Sequence, residues 1–98
     1  MLFTLLYTPQ ANNDLDELKE SPHLKKRYKA VRKSLGYLEI NPRHPGLNTH
    51  KFNTLHGPKN EEIFEAYAEN NTPGAYRIFW YYGPDKNEIT IIAITPHP

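Results

Sequence analysis

Apolar and polar positions change their rhythm three times along the chain. Residues 2 to 8 are rich in Leu, Phe and Tyr and read as a first strand. Asp14 followed by Glu17 has the form of a capping box, which predicts a short helix running to about Glu20. Ser21 and Pro22 then supply an N-cap and a proline for the start of a second helix. In that helix Leu24, Tyr28, Val31, Leu35 and Leu38 follow one another at steps of 4, 3, 4 and 3, a single stripe at helical period. "NPRHPG" at 41–46 ends it, because proline cannot continue a helix and biases the residue before it toward extended backbone.

After residue 48 the period shortens to two. "HKFNTL" alternates weakly up to "HGPKN", and "EIFEAYAE" alternates clearly, with Ile63, Glu65, Tyr67 and Glu69 on one side and Phe64, Ala66 and Ala68 on the other. "NNTPG" and "GPDKN" are turn clusters that separate "AYRIFWYY" from the strands before and after it, the last being "EITIIAIT". The expected fold class is α+β: a mainly antiparallel, curved β-sheet with two N-terminal helices packed on one face. No repeat or linker divides the 98 residues, so a single domain over 1–98 is expected.

One polar residue stands out against this pattern. Arg77 lies inside the aromatic strand "AYRIFWYY", and arginine is almost never fully buried without a partner. If Tyr76, Ile78 and Trp80 face the helices, Arg77, Phe79 and Tyr81 face away from them. Folding the "NNTPG" hairpin with small side chains inward brings Glu65 and Tyr67 to the side of Arg77, with Tyr67 or Glu69 directly opposite it. Parity across "GPDKN" sends Ile91, Ala93, Thr95 and His97 to the same side. Arg77 is therefore expected on the open face of the sheet, near Tyr67, a carboxylate and His97. The plainest role for such an arginine is a cross-strand ion pair contributing under about 1 kcal/mol.

Composition narrows the choice of function. The chain has no cysteine, which removes disulfides, thiolate catalysis and Cys-ligated zinc and fits a cytoplasmic protein. No apolar run approaches the roughly 20 residues of a membrane span, and "MLFTLLYTPQ" lacks the basic start and cleavage site of a signal peptide. Neither a membrane partner nor a membrane site is expected. Net charge is only +1, yet Lys25, Lys26, Arg27, Lys29, Arg32 and Lys33 fall between Ser21 and Leu38 with no acidic residue among them. The other six basic residues are outnumbered by all eleven acidic ones. Such a positive side points either to a solvated helix surface or to a nucleic acid or acidic protein partner. His44, His50 and His56 recur every six residues, but loop and strand placement separates them and no carboxylates cluster beside them. Neither a metal nor a cofactor is expected.

The order of elements, "NPRHPGL", "LHG" at 55–57, "YRI" at 76–78 and a last apolar strand followed by His97 resemble the RelE/ParE superfamily of toxin–antitoxin toxins. The closest flavour is the ribosome-dependent mRNA interferases of RelE, YoeB and HigB type. The resemblance covers essentially the whole chain. It implies an endoribonuclease that inhibits translation by cutting mRNA on the ribosome, held in check by a cognate antitoxin. Arg77 sits where the family's strand arginine contacts the scissile phosphate, and His97 falls near the place of a catalytic histidine in YoeB-like members. The chain departs from the pattern in carrying Glu65, Tyr67 and Glu69 where RelE-type enzymes carry lysines.

Metal-free RNA cleavage needs a base for the 2′-hydroxyl, an acid for the leaving 5′-oxygen and positive charge near the phosphate. Arg77 suits the charge, His97 the proton transfer, Glu65 the base, and Tyr67 stacking or proton relay. Lys51 is a candidate phosphate contact, and Tyr81 and Phe79 are candidate stacking surfaces. Lys25, Lys26, Lys29, Arg32 and Lys33 would hold ribosomal RNA phosphates. Two other readings fit the same residues: a ParE-like inhibitor of DNA gyrase without nuclease activity, and an inactive relic that only binds an antitoxin.

Overall fold

The computed structural model describes residues 2–69 and 74–96. Five strands form one sheet in the order β1-β5-β4-β3-β2. They are β1 (Thr4–Tyr7), β2 (His50–His56), β3 (Glu62–Tyr67), β4 (Tyr76–Tyr82) and β5 (Glu88–Pro96). Strands β2 to β5 form an antiparallel meander, and β1 pairs in parallel with β5. Helices α1 (Pro9–Glu20) and α2 (Lys25–Ile40) bring their buried side chains into the same core as the sheet's inner residues. The expected α+β class and its mainly antiparallel sheet are what the chain adopts.

Helix α1 begins earlier than the Asp14–Glu17 signal predicts. Thr8 is its N-cap, with Oγ1 accepting the Ala11 N–H at 3.1 Å, and Pro9 takes the first helical position. Asp14 is then free for a longer-range task described below. A 3₁₀ turn over Pro22–Leu24 precedes α2, and Ser21 makes no side-chain cap. The stripe on α2 holds as expected: Val31, Leu35 and Leu38 are buried, and Leu24 and Tyr28 pack against the core. With Leu18 they meet Ala66, Ile78, Trp80, Ile89, Ile91 and Ile94 from the inner face of the sheet. Each fully buried Leu, Ile or Val of this seam contributes roughly 1.5–3 kcal/mol.

Ile91 belongs to that core, against the parity expectation that placed it on the far side. The register explains why. Arg77 pairs with Thr95 and Phe79 with Ala93, but Trp80 pairs with Ile91, so Ile92 is an extra residue in β5. A β-bulge of this kind inverts the phase of everything beyond it. Backbone groups at and just beyond the bulge find partners at the cap and in the body of α1. Thr8 Oγ1 donates to the Ile92 carbonyl at 2.7 Å, and Asp14 Oδ2 accepts the Ile94 N–H at 2.9 Å.

Candidate active site on the outer face

Strands β3 and β4 pair Tyr67 directly with Arg77 and Glu65 with Phe79, which leaves Glu65 diagonal to Arg77 on the outer face. Across the other edge of β3, His50 of β2 pairs with Glu65. Four side chains from three strands therefore converge. His50 Nε2 lies 2.7 Å from Glu65 Oε1, and Arg77 Nε lies 3.7 Å from Glu65 Oε2. The Arg77 guanidinium is centred 3.8 Å over the Tyr67 ring, a cation–π contact. The His50 ring meets the edge of Tyr67 at a centroid distance of 5.4 Å.

The four differ sharply in access to solvent. Arg77 is 1% exposed, whereas the His50 side chain is 47% exposed and Glu65 11%. Arg77 is thus on the predicted face, beside Tyr67 and a carboxylate as predicted, but enclosed where an open position was expected. Its Nη1 also donates to the Ala75 carbonyl at 3.3 Å and to the Tyr76 carbonyl at 3.4 Å. The guanidinium so held sits within ion-pair distance of the Glu65 carboxylate. His50 presents a different chemistry. Its Nδ1 lies 3.0 Å from the Asn48 carbonyl and its Nε2 faces Glu65, so each ring nitrogen has an oxygen acceptor. Both bonds are made when the ring carries two protons, the form that can give one up.

The structure brings Arg77, Glu65 and Tyr67 together and places the other described candidates elsewhere. His97 lies outside the described residues. Lys51 pairs with Phe64, on the opposite side of β2 from His50, and its Nζ lies 3.3 Å from Glu62 Oε1. Tyr81 shares the face of Arg77 but is only 8% exposed, so it offers no free stacking surface. Phe79 is half-buried, edge-on to Phe52 at 5.0 Å. Glu69, expected beside Glu65, falls past the end of β3 and turns to α2, where its Oε1 accepts from Arg27 Nη1 at 3.0 Å and from the Tyr76 N–H at 2.9 Å. Lys25, Lys26, Lys29, Arg32 and Lys33 are all exposed on α2.

His50 is the residue that sequence reasoning left out of the candidate site. Counting back along the hairpin from the His56–Glu62 pair would set Ala68 opposite it, and an irregularity between Lys51 and His56 moves it to Glu65 instead. Among the described residues no group of three or more His, Cys, Asp or Glu is placed to hold a metal ion.

No family model matches the chain, and no curated protein matches it. Solved structures do. The chain is similar to an archaeal RelE from its complex with RelB of Pyrococcus horikoshii, with a TM-score of 0.66, 18% identity, and 98% of this chain and 96% of that one covered. It is similar to a YoeB/ParE toxin from Agrobacterium tumefaciens, with a TM-score of 0.71, 9% identity, and 97% and 99% covered. The YoeB dimer of Staphylococcus aureus gives a TM-score of 0.66 at 17% identity over 100% of both chains. The chain has the fold of RelE/ParE-type toxins from end to end.

Proposed function

We propose that this chain is the toxin of a type II toxin–antitoxin pair and that it cuts mRNA on the ribosome without a metal. The fold supports the first part: one similar structure is a RelE–RelB complex, which makes an antitoxin the natural partner here. The observation that carries the second part is the half-exposed imidazole bonded at 2.7 Å to a carboxylate that a buried arginine holds.

In this reading the 2′-hydroxyl of the RNA attacks the adjacent phosphorus. Glu65 takes the hydroxyl proton, and His50 gives its Nε2 proton to the departing 5′-oxygen, leaving a 2′,3′-cyclic phosphate and a free 5′-hydroxyl. The imidazolium also supplies positive charge beside the phosphate. Arg77 acts as a positioning residue for Glu65, and Tyr67 caps its guanidinium. His97 remains a proposed participant, as family likeness suggests. The exposed lysines and arginine of α2 serve the ribosome, holding ribosomal RNA phosphates.

Purified chain incubated with ribosomes and a defined mRNA tests this directly. Wild type should cut within codons, and His50→Gln, a surface substitution that leaves the core untouched, should slow cutting by roughly 10²–10⁴-fold. Undiminished cutting by His50→Gln would end the assignment. The burial of Arg77 favours a second reading, a member that binds without cleaving, because an enclosed guanidinium does not reach a phosphate. A wild-type chain that leaves mRNA intact but blocks gyrase supercoiling, or is harmless without its antitoxin, would establish that reading instead.

A further inference from the structure

On the inner side of the same strands, beyond the end of α2, lies a cavity of about 560 Å³, within the size range of small-ligand sites. Its apolar wall is aromatic. Phe64 stacks on Trp80 at 4.9 Å and 26°, and Tyr82 stands edge-on to both at 5.7 and 4.9 Å. Trp80 is buried at 1% exposure, with no hydrogen-bond partner for its Nε1 among the described residues, while Tyr82 is 41% exposed and Phe64 is half-buried. Phe64 and Tyr82 are thus the accessible rings, backed by Trp80.

The polar wall carries several donors beside Asn48 and Thr49, and one of them, Lys51, also reaches Glu62 at 3.3 Å. Arg43, Lys51 and His44 line the cavity, and among the described residues no Asp or Glu does. Arg43 is exposed and makes no salt bridge among the described residues. His44 is locked in place, its ring stacked on Tyr37 at 3.9 Å and 7°. Its Nδ1 accepts the Gly46 N–H at 2.9 Å, which leaves the proton of the neutral ring on Nε2, a donor. Cationic and donor groups beside exposed ring faces are complementary to a flat, anionic ligand. A saturated acidic peptide would use the charge but gain little from the rings.

His50 also lines this cavity, while its Nε2 is bonded to Glu65 on the outer face. A strand of RNA seated here would pass around the β2 edge straight to the proposed proton-transfer pair. We infer that this cavity binds one nucleotide of a single-stranded RNA, its base against Phe64 and Tyr82 and its flanking phosphates on Arg43 and Lys51. The inference rests on the RNA-cleaving reading and names the place where its substrate is held next to the scissile bond.

Trp80 is the sole tryptophan of the chain, so its fluorescence reports on this cavity. The full chain is titrated with a 5′-phosphorylated, 2′-O-methylated hexanucleotide, which cannot be cut because its 2′-oxygen cannot attack. A saturable change in Trp80 emission is expected, with affinity falling about sevenfold between 50 and 200 mM salt for two phosphate contacts. Arg43→Ala/Lys51→Ala should weaken binding and flatten that salt dependence, and Tyr82→Ala should weaken it roughly tenfold through lost stacking. An emission that does not respond, or responds equally in these variants, overturns the inference. So does a response to AMP as tight as that to the hexanucleotide, or a response to a Glu/Leu peptide alone. A chain that cuts mRNA with no Trp80 response refutes this cavity only, whereas a chain that binds the hexanucleotide here but never cuts refutes the nuclease reading only.

Discussion

The two faces of the β3–β4 pair are built from neighbouring residues of the same strands, yet they solve opposite problems. Inward, Ala66, Ile78 and Trp80 join an apolar seam whose stability comes from area removed from water. Outward, Glu65 and Arg77 bury charge beside Tyr67, which is costly unless every charge is compensated. The seam tolerates exchange of one apolar side chain for another of similar volume. The outer cluster does not, because removing Arg77 leaves the Glu65 carboxylate nearly enclosed without that cation. What this teaches is that Arg77 contributes to the architecture whether or not it contributes to chemistry, and that the exposed His50 is the better probe of chemistry alone.

The sharpest way to break this contrast is Arg77→Ala. It leaves Glu65 nearly enclosed beside an absent cation, and we expect a loss of about 3–5 kcal/mol by urea unfolding. Adding Glu65→Ala should recover part of that loss. A single-mutant cost below 1 kcal/mol would mean that the cluster is not a coupled unit. Next in size, Ile91→Ala should cost about 2–5 kcal/mol, since Ile91 is fully buried in the seam, and a surface-like cost would contradict the phase set by the bulge. Asp14→Ala removes the acceptor of the Ile94 N–H and should cost about 1–3 kcal/mol, with that amide's hydrogen exchange accelerated. The smallest effect concerns Tyr7, packed against the seam. Burial raises its phenol above 10.0, with Glu39 adding to the shift and Arg32 opposing it. The unfolded chain then loses that proton first, so stability is intact below about pH 10 and declines as pH climbs toward the folded value. Tyr7→Phe should remove this part of the alkaline decline in a denaturation series.

Much of this contrast is legible in the sequence. The α2 stripe and the alternation of "EIFEAY" and "YRIFWYY" fix which residues look inward, and parity puts Tyr67 and Glu65 beside Arg77. The rest depends on contacts between distant elements. Nothing local to "EITIIAIT" signals an extra residue at Ile92, because the groups that stabilise the bulge are Thr8 and Asp14 on α1. The start of α1 is similarly ambiguous: Thr8–Pro9 and Asp14–Glu17 both have the form of an N-terminus, and the remote use of Asp14 decides between them. His50 was missed because the β2–β3 register shifts midway along the hairpin. The enclosure of Arg77 involves Tyr67 and Glu65 of the neighbouring strand, contacts that no periodicity records.

The parallel seam between β1 and β5 also bears on how the molecule is made. Thr8 and Ile92, bonded to each other, are 84 positions apart, so the strand synthesised first must wait for nearly the whole sheet before it has anywhere to dock. Closure of that seam is a late, long-range event in assembly. Until it happens, the buried isoleucines of β5 lack their covering strand, and a chain still emerging from its own ribosome is not yet the folded molecule.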